Sequence, residues 1–399
     1  MPDNKRQHYV PKFLLRQFSC DVNKKQINII NIGRRKIIQN ASLGEQCYRD
    51  YFYGKTTEIE KSLASLEGVF SKVVKDILST GAYDHRQEFH MTLMISLQKN
   101  RTLRAEEELN AMVDKLVKLA MHGKISEEIL RGVRINFEKA ITHQIGRALT
   151  LSPMLLDLKQ FIIENRTSIP FVLSDNPVIV TNLFGRTRFR GRALDGMSKS
   201  GLQMLMPLSP KYAILLHDGN VYTTQADDNI IKVSREKIID NINELQWVNA
   251  YKNVYFSPEF GNQKISQLLE IERKSGDLIS FERLQSLDGG RSYRLNDKDE
   301  YAPPDEGVKS ELVRVSSKML SKDIRIDAVK VRSNPLFYDD NSMGSPKRDP
   351  IWCQIVEDFS DAMLSGSCKF NDIWSFFESH YLSSRIGPWH GRVFRRSGK

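Results

Sequence analysis

The chain opens with patterns that are typical of extended structure. Pro11 precedes a run of apolar residues, and residues 8–19 are predicted to form an extended entry because proline disfavours helix in the residue before it. The segments INIINIG and KIIQN lie on either side of Gly33-Arg34-Arg35. This arrangement predicts two strands joined by a short turn.

From Thr57 onwards the apolar residues adopt helical spacing. They recur at steps of three and four residues at Ile59, Leu63, Leu66, Phe70, Val73 and Ile77. This stripe predicts an amphipathic helix, and Gly81 supplies the left-handed residue at which helices commonly stop. Residues 86–121 predict a longer helix or two helices in line, Ser126 can begin a third helix, and Pro153 can open a short fourth.

Strand patterns return further along the chain. FVL and VIV flank a turn at Ser174 to Pro177, and MLMPLSP and YAILLH follow. Residues 229–255 predict a helix before NVYFSP, and 261–275 predict another. Residues 280–310 are polar, with Gly and Pro pairs that are typical of a linker or mobile insertion.

Together these patterns predict an α+β fold. A helical unit is expected to pack on a small mixed or antiparallel sheet, with a helical cap and a C-terminal appendage. The predicted parts are a main domain (1–279), containing the helical unit (57–165), the sheet (8–40 and 168–218) and the cap (229–275), then the linker (280–310) and the appendage (311–399).

Composition narrows the class of protein. No apolar run approaches the roughly 20 residues that span a bilayer, and the start of the chain has no apolar signal segment, so we expect a cytoplasmic protein without a membrane partner. Cys20, Cys47, Cys353 and Cys368 fit no zinc or redox spacing, and we expect free thiols.

Positive charge is concentrated at the two ends of the chain, which carries +10 in all. Residues 1–40 hold nine Lys or Arg against two Asp, a net charge of +7, and the last twenty residues hold five Lys or Arg and no acid. Clustered positive charge attracts polyanions, so the expected partner is nucleic acid. The alternative is a pair of solvated basic ends.

The run QHYVPKFLLRQFS resembles the opening of an uncharacterised bacterial family, the domain-of-unknown-function family numbered 4238. Further resemblance lies in FYGKTTEIEKSLASLEGVF, the Arg101 region, SDNPV and MPLSP, and it covers roughly residues 7–260. The resemblance implies no settled activity. Its members are scattered among bacteria and often lie near mobile elements, which favours a defence or toxin role.

Polar residues inside these blocks are the candidate catalytic groups. His8 could act as a general base or metal ligand, or could bond a backbone carbonyl as a structural histidine. Glu60 and Glu67 are two helical turns apart and point within about 20° of the same direction. They could hold a divalent cation such as magnesium, or divide acid and base roles, or form a solvated flank. Asp175 ends a strand, where catalytic carboxylates and Asx turns both occur.

A second group of residues is predicted to bind substrate phosphate. Arg16 and Arg101 could grip phosphate or pair with carboxylates, and Gln98 and Asn176 lie beside candidate residues. In FGRTRFRGR, the alternating Arg186, Arg188 and Arg190 predict a flexible basic loop or a solvated hairpin tip.

Two hypotheses of function follow. The first is a nuclease-like enzyme that acts on nucleic acid or another phosphate-containing substrate, with His8, Glu60, Glu67, Arg101 and Asp175 converging in one pocket. The second is a non-catalytic module that binds nucleic acid or another protein through its basic segments. Convergence of the polar residues favours the enzyme, and dispersal favours the binding module.

Overall fold

The computed structural model describes residues 5–56, 58–81, 87–121, 124–189, 194, 196–273, 278–286, 292–294, 310–317, 320, 322–339, 346–373, 375–377 and 379. The helices are α1 (Lys12–Leu15), α2 (Glu58–Thr80), α3 (Glu88–Asn100), α4 (Leu103–Met121), α5 (Glu127–Gly132), α6 (Ala140–Leu151), α7 (Leu183–Arg188), α8 (Glu236–Asn249), α9 (Asn262–Glu270) and α10 (Pro350–Leu364). Short 3-10 turns occur at Arg16–Phe18, Leu43–Glu45, Ser152–Leu155 and Phe370–Asp372. Within these ranges, no helix is long and apolar enough to cross a bilayer.

The strands are β1 (Arg6–His8), β2 (Gln26–Asn31), β3 (Lys36–Ser42), β4 (Tyr48–Asp50), β5 (Lys159–Asn165), β6 (Leu173–Ser174), β7 (Ile179–Thr181), β8 (Gln203–Pro207), β9 (Tyr212–His217), β10 (Tyr222–Thr224), β11 (Ile230–Val233), β12 (Asn253–Phe256), β13 (Ile279–Ser286), β14 (Ser292–Arg294), β15 (Ser310–Ser317) and β16 (Val329–Val331). The α+β class predicted from the sequence is confirmed.

The two largest sheets share one hydrophobic core. The five-stranded sheet has the order β11-β5-β9-β8-β7 and is mixed, because β11 runs parallel to β5 and the other pairs are antiparallel. The four-stranded sheet has the order β3-β2-β12-β6 and is antiparallel. The segments predicted to form one sheet are therefore distributed over two, because β12 brings the N-terminal hairpin beside β6 rather than beside β8.

The helical stripe between Thr57 and Gly81 forms α2 as predicted. Leu63, Phe70 and Ile77 on this stripe are buried, and Gly81 ends the helix with a φ of +78°. The long helical segment after it divides at Arg101, since Thr102 Oγ1 accepts the backbone N–H of Ala105 at 3.2 Å and so starts α4. Two helices in line, one of the two alternatives, is the observed arrangement.

Three segments differ from the expected elements. Residues 12–18 are helical rather than extended, because Pro11 occupies the N-cap, from which a helix can start without losing a hydrogen bond. Residues 159–165 form β5 instead of the end of the helical unit, since buried Ile162 and Ile163 pair with strands on both sides. The expected helical cap contains β11 and β12 as well as α8 and α9.

The C-terminal segments pack against the rest of the protein. Strands β14, β13 and β15 form an antiparallel sheet, and β13 and β14 lie within or beside the range predicted as a linker, of which 287–291 and 295–309 lie outside the described residues. Helix α10 buries Val356 and Phe359 in a cluster with Met154. All four cysteines are free thiols, as expected.

Candidate functional site

His8 lies on β1, where it pairs with Tyr48 of β4. Its Nε2 contacts the carbonyl oxygen of Gly44 at 3.2 Å, a contact that places the ring proton on Nε2. Burial, followed by the positive charge of Lys12, lowers the pKa of His8 to about 4, so the ring is neutral at pH 7. This contact corresponds to the structural alternative for His8.

Arg101 joins the N-terminal strand to the helical unit. Only 2% of the residue is exposed, and its Nη2 donates hydrogen bonds to Glu67 Oε1 at 2.6 Å and to the carbonyl oxygen of His8 at 2.7 Å. The ring of Tyr53 lies 5.8 Å from the guanidinium carbon, and the Tyr53 hydroxyl donates to the same carbonyl at 3.0 Å. The Nη2 group of Arg101 is thus occupied by protein partners and orients Glu67, while its buried Nε has no hydrogen-bond partner among the described residues.

Glu60 and Glu67 lie two turns apart on α2 in unequal environments. Glu67 is paired with Arg101, whereas Glu60 is half-buried and makes neither a hydrogen bond nor an ion pair with any described residue. Burial raises the pKa of Glu60, and the negative charge of Glu67 raises it further. Two carboxyl groups in such different surroundings can divide the roles of proton donor and proton acceptor.

One exposed cation acts on this pair, and a second lies one helical turn further along the chain. Lys12 and Arg16 are four residues apart, at the start of α1 and of the 3-10 turn that follows it, and both are exposed. The charge of Lys12 acts on both Glu60 and His8, which places it beside the carboxylates. Neither cation forms an ion pair within the described part of the chain, so both are available to an anion. In the same part of the chain, no group of three or more His, Cys, Asp or Glu could hold a metal ion.

Asp175, Asn176 and Gln98 hold the backbone in place. Asp175 is buried, and its carboxylate accepts the backbone N–H groups of Tyr251, Lys252 and Asn253 at 2.7, 2.7 and 3.1 Å. The Asn176 amide accepts from Thr102 and donates to Asn249, and Gln98 donates to the carbonyl of Tyr9 at 3.0 Å. These hydrogen bonds hold three chain segments together, so the three side chains have structural roles in the described part of the protein.

The three arginines predicted to form a basic loop have other surroundings. Arg186 lies on α7, 3.1 Å from Asp323, and also donates to the carbonyl of Leu320 at 2.6 Å. Arg188 is exposed at the end of the same helix, near the rings of Phe184 and Phe337. Arg190 lies outside the described residues. The first part of this segment is helical instead of a loop because the Asn182 side chain accepts the N–H of Gly185 and caps α7.

Sequence reasoning missed the contribution of Lys12. Its signal was present, because Lys12 and Arg16 at i and i+4 share one face of a helical turn, but the segment was predicted to be extended. It also missed a group around Lys99, Arg104 and Glu108, whose signal was the accumulation of charge next to a buried helix.

The fold and this site define an α+β protein in which a carboxylate pair, a buried arginine and the exposed Lys12 lie beside the N-terminal strand. The family model described as "Protein of unknown function (DUF4238)" matches residues 6–260, and the chain belongs to this family. The resemblance found in the sequence is thereby confirmed. No curated protein and no solved structure matches the chain.

Proposed function

We propose that this protein is an intracellular nuclease-like enzyme that cleaves RNA, with Glu60 and Glu67 as its catalytic carboxyl groups. The observation that carries the proposal is the half-buried, unpartnered Glu60 carboxyl with its raised pKa, beside a second carboxylate that is paired with Arg101. A carboxyl group whose pKa is raised beside a second carboxyl group is a typical arrangement for acid–base chemistry.

RNA is the nucleic acid that suits these groups, since its 2′-hydroxyl provides an internal nucleophile. In the proposed reaction Glu67 accepts the proton of the 2′-hydroxyl, and the 2′-oxygen forms a bond to phosphorus. The bond from phosphorus to the 5′-oxygen breaks, and Glu60 donates its proton to that leaving oxygen. The products are a 2′,3′-cyclic phosphate and a 5′-hydroxyl end.

Lys12 and Arg16 support the choice of a polymeric anion. Both are exposed and lack an ion pair among the residues that the structure describes, so they can contact phosphates on an open surface. The acids near β1 already neutralise other cations, because Lys5 pairs with Asp50 and Arg6 with Glu45. The uncompensated charge therefore lies on the side of α1.

The test is an incubation of the purified protein with a single-stranded RNA, followed by identification of the fragment ends by mass spectrometry. We expect cyclic phosphate ends, no cleavage of the DNA of the same sequence, and a rate that declines as Glu60 loses its proton on the alkaline side. Glu60→Gln cannot donate that proton and should lower the rate at least about hundredfold without changing the melting temperature. Glu58→Gln on the same helix is the matched control, because Glu58 is exposed and has no ion-pair partner in the described ranges.

Intact RNA with the wild-type protein, or equal cleavage by the two variants, would contradict the proposal. A defence or toxin role belongs to the same proposal and has a cellular test. Expression of the wild-type protein should slow bacterial growth, and expression of Glu60→Gln should not.

The second candidate is a non-catalytic nucleic-acid-binding module. The specific observation in its favour is that the Nη2 group of Arg101 and the Asp175 carboxylate bind protein partners, which is a scaffold role. Binding of RNA by the wild-type protein and by Glu60→Gln with equal affinity, without cleavage by either, would favour this candidate over the enzyme.

A further inference from the structure

A cavity of about 530 Å³ lies where α3, α4 and α6 meet strands β7 and β8. Val315 of β15 and Glu357 of α10 also line it, so segments beyond the family match complete its wall. Its size falls in the range of small-molecule sites. Neither Glu60 nor Glu67 lines it, so what it binds is a question separate from the proposed cleavage site.

The wall of the cavity contains more buried positive than negative charge. Arg104 Nε donates to Glu108 Oε1 at 2.7 Å, and Lys99 Nζ lies 3.7 Å from Glu108 Oε2. The side chains of Arg104 and Glu108 are only 12% and 5% exposed. Two cations therefore share this one carboxylate among the described residues. Charge that is removed from water in this way is stabilised by a counter-ion.

Two further arginines increase the positive potential. Arg147 of α6 is exposed, lines the same cavity and has no ion-pair partner among the described residues. Arg273 is close enough to Arg104 that burial and then the charge of Arg104 lower its pKa. It donates to the backbone carbonyls of Val248 and Ala250 and lies outside the cavity wall, and the Asp175 carboxylate offsets part of its charge. Guanidinium groups with free N–H donors fit the oxygens of a phosphate group.

The rest of the cavity wall is apolar or carries amide groups, so it suits the uncharged part of a phosphorylated molecule. Met112, Met197 and Met204 supply adaptable apolar surface. The amide groups of Asn100 and Gln144 donate to the carbonyls of Ser96 and Ala105, at 2.8 and 3.3 Å. Their oxygens accept no hydrogen bond from the described residues, so they can receive the N–H donors of a planar ring.

We propose that this cavity binds a small phosphorylated organic molecule of the nucleoside monophosphate class. Its phosphate would lie at Arg104 and Arg147, and its base among the methionines and the amide oxygens. The inference does not depend on cleavage of RNA at Glu60.

The test is calorimetric titration of the full chain with AMP, GMP, CMP and UMP, with the corresponding nucleosides and with inorganic phosphate. We expect at least one monophosphate to bind more tightly than its nucleoside and than phosphate alone. Arg147→Gln should weaken that affinity about tenfold or more, because a charged hydrogen bond to phosphate is lost. Arg325→Gln removes an exposed arginine outside the cavity and should leave the affinity unchanged.

A second variant tests the location without removing a charge. Ser198 is half-buried at the cavity and its hydroxyl has no partner in the described part of the chain, so Ser198→Phe should fill the space and abolish binding while the melting temperature is kept. No binding of any monophosphate by the wild-type protein, or unchanged affinity in Ser198→Phe, would overturn the proposal. Equal affinity for nucleoside and monophosphate would overturn the assignment of phosphate.

Discussion

Arg101 connects three parts of the protein through one side chain. A buried arginine that loses its partners leaves an uncompensated charge. Glu67 and the His8 carbonyl both depend on the Nη2 group of Arg101, which donates to the two oxygens at once. The positioning of the proposed base and the stability of the N-terminal strand are therefore coupled at one residue.

Conservative replacement of Arg101 should consequently destabilise the protein. We expect Arg101→Lys to lower the free energy of unfolding by about 3 kcal/mol, measured by chemical denaturation. Arg49→Lys is the matched control, since Arg49 pairs with Glu106 at 2.5 Å but has a side chain that is 45% exposed, and exposed pairs contribute about 1 kcal/mol or less. Equal small losses in the two variants would show that Arg101 is not the structural link described above.

Glu67→Gln distinguishes the proposed catalytic role of Glu67 from the structural role of its ion pair with Arg101. It keeps the shape of the side chain but removes the charge that accepts a proton, so RNA cleavage should be lost even where the fold survives at low temperature. A stable Glu67→Gln variant that cleaves RNA at the wild-type rate would exclude Glu67 as the proton acceptor.

At the scale of elements, α1 and its 3-10 turn fix the positions of two exposed cationic side chains. Leu14, Leu15 and Phe18 face the core, which forces Lys12 and Arg16 onto the opposite, exposed side. The position of these cations is therefore set by the burial of their apolar neighbours.

Removal of both cations should weaken binding of single-stranded RNA and make it less sensitive to salt. Each phosphate contact contributes about 0.7 to the slope of log affinity against log salt concentration, so the double variant Lys12→Gln with Arg16→Gln should reduce the slope by about 1 to 1.5. The double variant Lys237→Gln with Lys330→Gln removes two exposed lysines elsewhere and serves as the control. Identical slopes in the two double variants would argue against α1 as the contact surface.

At the scale of the whole molecule, the C-terminal helix is tied to the helical unit by both apolar and polar contacts. Phe359 is fully buried on α10. Arg348, just before that helix, donates to Asp157 at 2.8 Å and to the carbonyl of Met154 at 2.6 Å. The cavity needs this attachment, because Glu357 of α10 forms part of its wall.

Two substitutions on α10 test this attachment. Phe359→Ala should lower the free energy of unfolding by about 3 to 5 kcal/mol, because it leaves a cavity in a packed cluster. Leu364→Ala on the same helix should change it by less than about 0.5 kcal/mol, since Leu364 is 78% exposed. If α10 were independent of the main core, Phe359→Ala would instead produce a separate early transition and leave the main one unchanged.

Much of the fold could be predicted from local spacing. The stripe from Ile59 to Ile77 predicted α2, because a three- and four-residue repeat leaves only one face to bury. Residues 159–165 were misassigned, since a short apolar run fits a buried strand and a buried helix equally well. The pairing of residues 159–165 with β9 and β11, which only the tertiary structure shows, makes this segment a strand.

The sequence by itself determined the α+β class and the family, and it placed Glu60 and Glu67 on one side of one helix, because these depend on residue types and on spacing along the chain. The tertiary structure decided which polar groups are occupied. The Asp175 carboxylate accepts hydrogen bonds from residues 251–253, and the Nη2 group of Arg101 donates to Glu67 and His8, while Glu60 has no partner among the described residues. Hydrogen-bond partners come from segments far apart in sequence, so periodicity carries no information about them.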